Sequence, residues 1–377
     1  MRKLVFLFMS RSSAYPGSTK RVIPNWNCEK YYIDNFRDEC YFKMLEELLR
    51  QNVFDELKIF YESNLGAGLA QWISDSKLQD RIYGEVIPEI RFVKDYIDDN
   101  SVIFVRGGFK HWHDLLFSYK NKNWLMIYAA NTGRDKWTWW DIVLNDCGNR
   151  NFYIDRHERF YFKFTKPTNE ERFYFKNIKP IYDICIGASH IHDRKGQYLV
   201  VRAIEELNKQ NFKVNAVLPG SPRGGNFTIQ MMRKLDKIDN ISYAGYLNKG
   251  ALCQLFNESK LFVHMGNHGQ NDRSIFEALA CGTPIIYKSL QHHDSELNKY
   301  FFRFEFENDV SKLAYEIKSQ LLLWNQNQKI NTLEKYQQHF GFNKVVIPKM
   351  KKLIEFMFEN RPNMEAKRQL TNLFKGY

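Results

Sequence analysis

Cysteine is scarce and unpatterned in this chain. The six residues Cys28, Cys40, Cys147, Cys185, Cys253 and Cys281 include no C-x-x-C pair and no Cys/His cluster at zinc-like spacing. That argues against a disulfide scaffold or a zinc module and points to a reducing compartment, with Cys185 and Cys281 read as small buried hydrophobes. Long apolar runs are also missing, and no stretch approaches the ~20 residues of a membrane-spanning helix. The N-terminus, MRKLVFLFMSR, holds six apolar residues between basic ones. That is short for a signal peptide and lacks a small-residue cleavage site, so a first buried strand is expected. No short-period repeat or low-complexity tract is present. No hydrophobic stretch ends in Asp-x-Asp, so no metal is expected. Negative charge is the last shortage: 55 Lys and Arg face 43 Asp and Glu, a net charge of +12. An anionic partner is implied, and nucleotide diphosphates, nucleic acid and anionic membrane surfaces all fit.

What is present suits packed domains. Hydrophobic residues make up 44% and aromatics 16% of 377 residues, enough for two cores. In the first half, apolar runs at Leu4–Met9, Ser101–Arg106, Trp124–Tyr128 and Ile142–Leu144 each end in a polar or Gly-rich turn. Tyr41–Gln51 reads as an amphipathic helix, and Val53–Tyr61 contains a further strand. In the second half, Tyr182–Gly187, Phe212–Leu218, Ile241–Ala244, Leu261–Met265 and Ile285–Tyr287 read as strands. Helices are expected between them at Gly196–Asn208, Ile229–Lys237, Lys249–Ser259 and Ser274–Cys281. Strand and helix alternate throughout, the pattern of a parallel sheet covered on both faces. Val310–Trp324 and Asn343–Glu359 are then helical, with Pro348 kinking or starting the second. That basic helix could lie on an anionic membrane, or pack back across the domain junction, the plainer reading.

The segment from 151 to 177 interleaves aromatic and basic residues, as a stacking platform for single-stranded nucleic acid does. The plainer reading is a half-buried strand, since Phe160, Phe162 and Phe164 alternate with Tyr161 and Lys163.

Chemistry gathers in the loops of the second half. His190, His192, Asp193, Arg194, Lys195 and Gly196 precede a helix, whose free N–H groups and dipole favour an anion. A solvated lysine is the plainer reading of Lys195. Pro219–Gly224 (PGSPRG) and Gly245-Tyr246 are further turns. Glu277 lies in a helix behind the polar loop 266–273. It forms an S-x-x-E capping box with Ser274 on spacing alone, or serves as a ligand.

ESKLFVHMG followed by IFEALACGTPII resembles the signature of the GT-B glycosyltransferases, specifically the retaining family four (glycosyl transferases group 1). The resemblance covers about residues 180–345 well and the first half only in general pattern. It implies an α/β protein of two Rossmann-like doubly wound domains facing across a cleft. Residues 1–165 would bind the acceptor and 180–345 the donor, with the helical segment 346–377 packing back toward the N-terminal domain.

The resemblance implies transfer from a nucleotide-diphosphate sugar with retention at the anomeric carbon. Lys195 and Arg194 would stabilise the diphosphate leaving group, and Glu277 would accept hydrogen bonds from the ribose hydroxyls. His190, Gly220, Ser221, Gly245, Tyr246, Asn271, Asp272, Arg273 and Ser274 would complete the donor site. Gly17, Arg106, Gly107 and Asn131 would face the acceptor, a glycan, lipid-linked sugar or polysaccharide precursor. No cofactor beyond the donor is expected. A cytoplasmic protein, with possible peripheral contact at the membrane, fits this reading.

Two departures from the family are visible. The acidic residue expected eight positions before Glu277 is Gly269. Asn271 or Asp272 would replace it at the sugar. The family's first-loop Arg has no clean counterpart, and His190 or Arg194 would substitute. A nucleic-acid-binding protein, or a nucleic-acid base glycosyltransferase, on a GT-B scaffold is the alternative. A nucleotide-sugar epimerase or hydrolase is the third reading.

Overall fold

The computed structural model describes residues 1–9, 40–62, 66–86, 90–106, 115–128, 140–145, 153–187, 190–191, 195–222, 226–266, 272–288, 296–305 and 308–375. They form two units. The first is built from the chain up to Pro167 and again from Val346 onward, and the second spans Thr168–Val345.

The first unit carries eight strands among the described residues: β1 (Lys3–Met9), β2 (Glu56–Glu62), β3 (Ile82–Val86), β4 (Ser101–Arg106), β5 (Leu125–Tyr128), β6 (Ile142–Asn145), β7 (Tyr153–Ile154) and β8 (Phe160–Lys163). Their order is β3-β2-β1-β4-β5-β6-β8-β7, parallel except for the final β7–β8 pair. β4 is apolar almost end to end because both faces of the sheet are covered. On one face Val5, Leu7, Ile103, Val105 and Ile127 share a cluster. Opposite lie Phe6 and Phe104, ring centroids 4.9 Å apart, with Phe42 of helix α1 (Cys40–Arg50) edge-on to Phe6 at 5.8 Å. Helix α2 (Gly66–Asp75) precedes β3.

In β8 the rings of Phe160 and Phe162 are buried, and Phe164 just beyond it is too. Phe162 meets Phe374 edge-on at 5.0 Å. Phe160, Phe162 and Phe164 are therefore core residues and offer no face on which a base could stack.

The second unit holds a six-stranded sheet of β9 (Tyr182–Ile186), β11 (Ala216–Pro219), β13 (Ile241–Gly245), β14 (Ser259–His264), β15 (Ile285–Tyr287) and β16 (Phe302–Arg303). Two short strands, β10 (His190–Ile191) and β12 (Ser221–Pro222), form a separate ladder. The six run β13-β11-β9-β14-β15-β16, all parallel. The chain starts at β9 in the middle, builds outward to β13, then returns to β14 on the other side. The carboxyl ends of β9 and β14 thus flank a topological switch point, where open α/β sheets leave a crevice for ligands.

Alternate residues serve opposite faces. Ile184, Ile186, Leu218 and Val263 pack with helices α3 (Gln197–Lys209) and α4 (Asn226–Leu235). Cys185, Val217, Phe262 and Ile285 pack with α5 (Lys249–Asn257) and α6 (Arg273–Ala280). Each such side chain, fully buried, contributes roughly 1.5–3 kcal/mol. The short α7 (Glu296–Tyr300) leads into β16. Then α8 (Val310–Leu322) supplies Leu313, Ala314 and Ile317 to the first face, and α9 (Gln326–His339) supplies Tyr336 to the second.

The chain then rejoins the first unit through α10 (Ile347–Glu359) and α11 (Met364–Leu373). Pro348 sits in the first turn of α10, directly after a π-helical turn at Phe342–Val346, so it marks the junction at which the wider turn gives way to the α-helix. Trp124 Nε1 donates to the Asn360 carbonyl at 2.7 Å. Lys367 Nζ lies 2.8 Å from Asp141 Oδ1, while Asp141 Oδ2 accepts from the Leu125 N–H. Burial pushes the Asp141 carboxyl upward, against the pull of Lys367 and that N–H. This pair lies at the amino end of β6. Among the described residues no helix is long and apolar enough to cross a membrane.

Candidate functional site

The site is built on the carboxyl edge of the second sheet, from three strand exits. After β9 comes Gly187, whose N–H donates to the Val263 carbonyl of β14. Downstream, β10 pairs with β12, setting His190 in register with Ser221. The first two loops singled out in the sequence are therefore stitched together by backbone. Gly220 donates its N–H to the Gly245 carbonyl at 2.7 Å, and Tyr243 Oη donates to the Gly220 carbonyl at 2.9 Å. That brings the exits of β11 and β13 together, with Tyr246 exposed beside them.

Gly196 caps the N-terminus of α3 in a left-handed conformation, φ 69°. A Cβ there would lie 1.8 Å from the Met265 carbonyl oxygen, so only glycine lets this helix start against the exit of β14. The first N–H groups of α3 are left without intrahelical partners, and Lys195 stands just ahead of them.

Lys195 Nζ lies 2.6 Å from Asp272 Oδ2, and His264 Nε2 lies 2.8 Å from the same oxygen. Asp272 is the N-cap residue of α6, but its side chain makes no capping bond. It faces Lys195 and His264 instead. Burial would raise its carboxyl, but the hydrogen bonds and charges of His264 and Lys195 win and hold it well below the usual carboxylate range.

Because Asp272 takes the cap position, α6 begins at Arg273 and places Ser274 inside the first turn. The expected Ser274–Glu277 capping box requires Ser274 at the cap and is not the arrangement formed. Glu277, buried on α6, instead accepts from Lys249 Nζ at 2.6 Å. Lys249 opens α5, behind the cap Asn248, whose side chain accepts from the Ala251 N–H. Its ammonium also sits 5.3 Å from the Phe173 ring centre. One turn further along each helix, Cys253 and Cys281 place their sulfurs 3.7 Å apart, and both are buried.

Of the residues singled out in the sequence, Lys195, Gly220, Ser221, Gly245, Tyr246, Asp272, Arg273, Ser274 and Glu277 all lie at the strand exits or in the first turns of the helices after them. His190 is placed by its backbone alone, and Arg194 and Asn271 lie outside the described residues. On the acceptor side Arg106 ends β4, with its guanidinium 4.4 Å from the Tyr41 ring centre. Gly17, Gly107 and Asn131 lie outside the described residues. Among the described residues no group of three His, Cys, Asp or Glu is placed to hold a metal ion.

Sequence reasoning passed over His264 and Lys249. His264 was the one polar residue in the run LFVHM, a signal that could have been read. Lys249 carried none.

Comparison with known proteins follows the same division. Residues 170–335 match the family model described as glycosyl transferases group 1. A glycosyltransferase from Rickettsia africae is 13% identical, covering 99% of this chain and 98% of its own, with a TM-score of 0.56. The Anabaena protein Alr3699/HepE, solved with UDP-glucose, is 12% identical over 99% of both chains, with a TM-score of 0.56. Sucrose-phosphate synthase from Thermosynechococcus elongatus is 12% identical over 95% of this chain and 100% of its own, with a TM-score of 0.59. No curated protein matches the chain. At these identities the structural likeness speaks for the fold, two parallel-sheet units in the GT-B manner. Residues 170–335 are thus similar to the glycosyl transferases group 1 family, and the chain as a whole has the GT-B fold.

Proposed function

We propose that the protein is a glycosyltransferase that binds a nucleotide-diphosphate sugar at the carboxyl edge of the second sheet. The single observation that carries this reading is the position of Lys195. The residue stands just ahead of the N-terminus of α3, beside the switch point and next to a glycine that a Cβ would clash with, while its ammonium lies 2.6 Å from Asp272 at the start of α6. Fixed N–H dipoles and a mobile cation at one point suit a diphosphate. The HepE structure holds UDP-glucose, which suggests the donor class.

Breaking the bond between the anomeric carbon and the diphosphate builds negative charge on the leaving phosphate. Lys195, with Arg194, would stabilise that charge before it develops, needing no metal. Glu277 presents two acceptor oxygens and would hold the ribose hydroxyls through the one that Lys249 leaves open. Asp272 or Asn271 would contact the sugar in place of the acid missing at Gly269. Gly220, Ser221, Gly245 and Tyr246 would wall the nucleoside. Retention at the anomeric carbon and an acceptor that is a glycan, lipid-linked sugar or polysaccharide precursor complete the proposal, with Arg106 on the acceptor side. Peripheral contact with a membrane is part of the same reading, as is a cytoplasmic location.

The nucleic-acid alternative draws on the acid missing at Gly269 and, for its stacking surface, on the aromatic-basic segment around Phe160. The burial of Phe160, Phe162 and Phe164 removes that stacking surface.

The test is calorimetric titration of the protein with UDP, GDP, ADP and dTDP. Saturable binding of one of them is the expected result and identifies the base. Binding of none would end the reading.

A further inference from the structure

The histidine at the end of β14 occupies a slot made for it. His264 is 1% exposed and stacks on Phe262 with ring centroids 6.0 Å apart and planes 18° from parallel. A Cβ on Gly266 would come within 2.7 Å of its Nε2, and one on Gly187 within 3.6 Å of its Nδ1. The exit of β14 therefore needs a glycine at Gly266 to admit this ring, while a Cβ at Gly187 would only touch it in ordinary contact. Within that slot Nε2 points at Asp272 Oδ2, and Nδ1 has no hydrogen-bond partner among the described residues. Among the described residues the ring's polar contact is to the carboxylate that also holds Lys195.

Lys195 cannot serve Asp272 and a diphosphate with full strength at once. When the phosphates arrive, its ammonium must swing on its flexible stem toward them, leaving a half-buried carboxylate. An unpaired buried charge is costly, and the carboxylate would also repel the diphosphate. His264 keeps a donor on Asp272 throughout, so the carboxylate is never left unpaired when Lys195 departs.

We propose that Asp272 is an exchange partner for Lys195, competing with the bound diphosphate, and that His264 is the positioning residue that makes the exchange possible. Binding draws Lys195 from Asp272 to the phosphates. Once the sugar has left, Asp272 takes Lys195 back and promotes release of the nucleoside diphosphate. The proposal rests on the donor-site reading above.

The experiment measures equilibrium binding and dissociation rates for the nucleoside diphosphate that wild type prefers and for the matching nucleoside. Asp272→Asn keeps the shape and removes the competing charge. It should bind the diphosphate on the order of tenfold more tightly, mostly through slower dissociation, with nucleoside binding unchanged. His264→Leu should weaken the diphosphate alone, severalfold, and His264→Gln, which keeps a donor near the Nε2 position, should restore most of it. Should Asp272→Asn fail to fold, Asp272→Ser carries the same test, since Ser also suits a helix N-cap. Unchanged or weaker diphosphate binding in the folded Asp272 variant would overturn the exchange. Equal losses of diphosphate and nucleoside in His264→Leu would make His264 merely structural and overturn its positioning role. Wild type that binds no nucleoside diphosphate would defeat the donor-site reading itself, a different outcome from wild-type binding that is indifferent to Asp272.

Discussion

The two units share a sheet plan, yet they place their buried lysine–carboxylate pairs at opposite edges. In the first unit Lys367 meets Asp141 at the amino end of β6, where Asp141 also accepts from the Leu125 N–H. That pair fastens α11 to the sheet, and every partner is a fixed part of the fold. In the second unit Lys195–Asp272 and Lys249–Glu277 sit where strands exit toward the crevice. The lysines there are 18% and 25% exposed, against 10% for Lys367. The same chemistry is therefore more enclosed in one unit and more open to solvent in the other. Sheet edges explain this: ligands approach parallel sheets at their carboxyl ends, so pairs at the amino edge are left to serve stability.

The sharpest way to break the comparison is Lys367→Met. It strands the Asp141 carboxylate in the core and should cost about 3–5 kcal/mol of stability, read as a lowered denaturant midpoint. Nucleotide affinity of the folded fraction should not change. A loss within about 0.5 kcal/mol would show that Asp141 finds water or another partner, and that the pair does not lock the fold.

Glu277→Gln comes next. It keeps size and one acceptor oxygen but loses the charge that Lys249 and a ribose would share. Nucleoside diphosphate affinity should fall by about 1–2 kcal/mol in calorimetry. Unchanged affinity would confine Glu277 to its bond with Lys249.

The smallest expected effect concerns pH. The Asp272 carboxyl is held below its ordinary value, so the folded state binds its proton less readily than the unfolded chain. Its contribution to stability is complete above about pH 4, the ordinary Asp range, and is lost as pH falls below that. Asp272→Asn should therefore show a shallower acid decline than wild type in melts between pH 7 and pH 3. Parallel declines would mean that Asp272 gains nothing from its two partners.

The fold was legible wherever apolar runs were bounded by turns. Ser101–Arg106 and Ile285–Tyr287 end where the sequence says they should. Phe212–Leu218 did not, and the strand is only Ala216–Pro219. The Phe212 N–H returns to the Leu207 carbonyl, so the residues after α3 serve the helix exit before the sheet begins. Helix α9 escaped notice because its buried positions are Lys329, Thr332 and Tyr336, helical in spacing but polar in type. Strand β3 contains Gly84, which weakens a strand pattern.

The lysine, the glycine turns and the carboxylates of the site could be named from the chain. Their pairings could not, because Lys195 and Asp272 are separated by 77 positions and Lys249 and Glu277 by 28. Which oxygen a lysine reaches depends on where β9 and β14 meet in the sheet, and that adjacency is a product of the whole fold. The capping box shows the converse. Ser274 and Glu277 have the right local spacing, but Asp272 takes the cap position, and Glu277 answers to Lys249 on another helix.

The most direct measurement of the central claim is the affinity of Lys195→Ala for the nucleoside diphosphate that wild type binds. The variant should melt close to wild type and lose about 1.5–3 kcal/mol of binding, roughly ten- to a hundredfold. A folded Lys195→Ala that binds the diphosphate as tightly as wild type would contradict the account, because the carboxyl-edge lysine would then have no part in holding the donor.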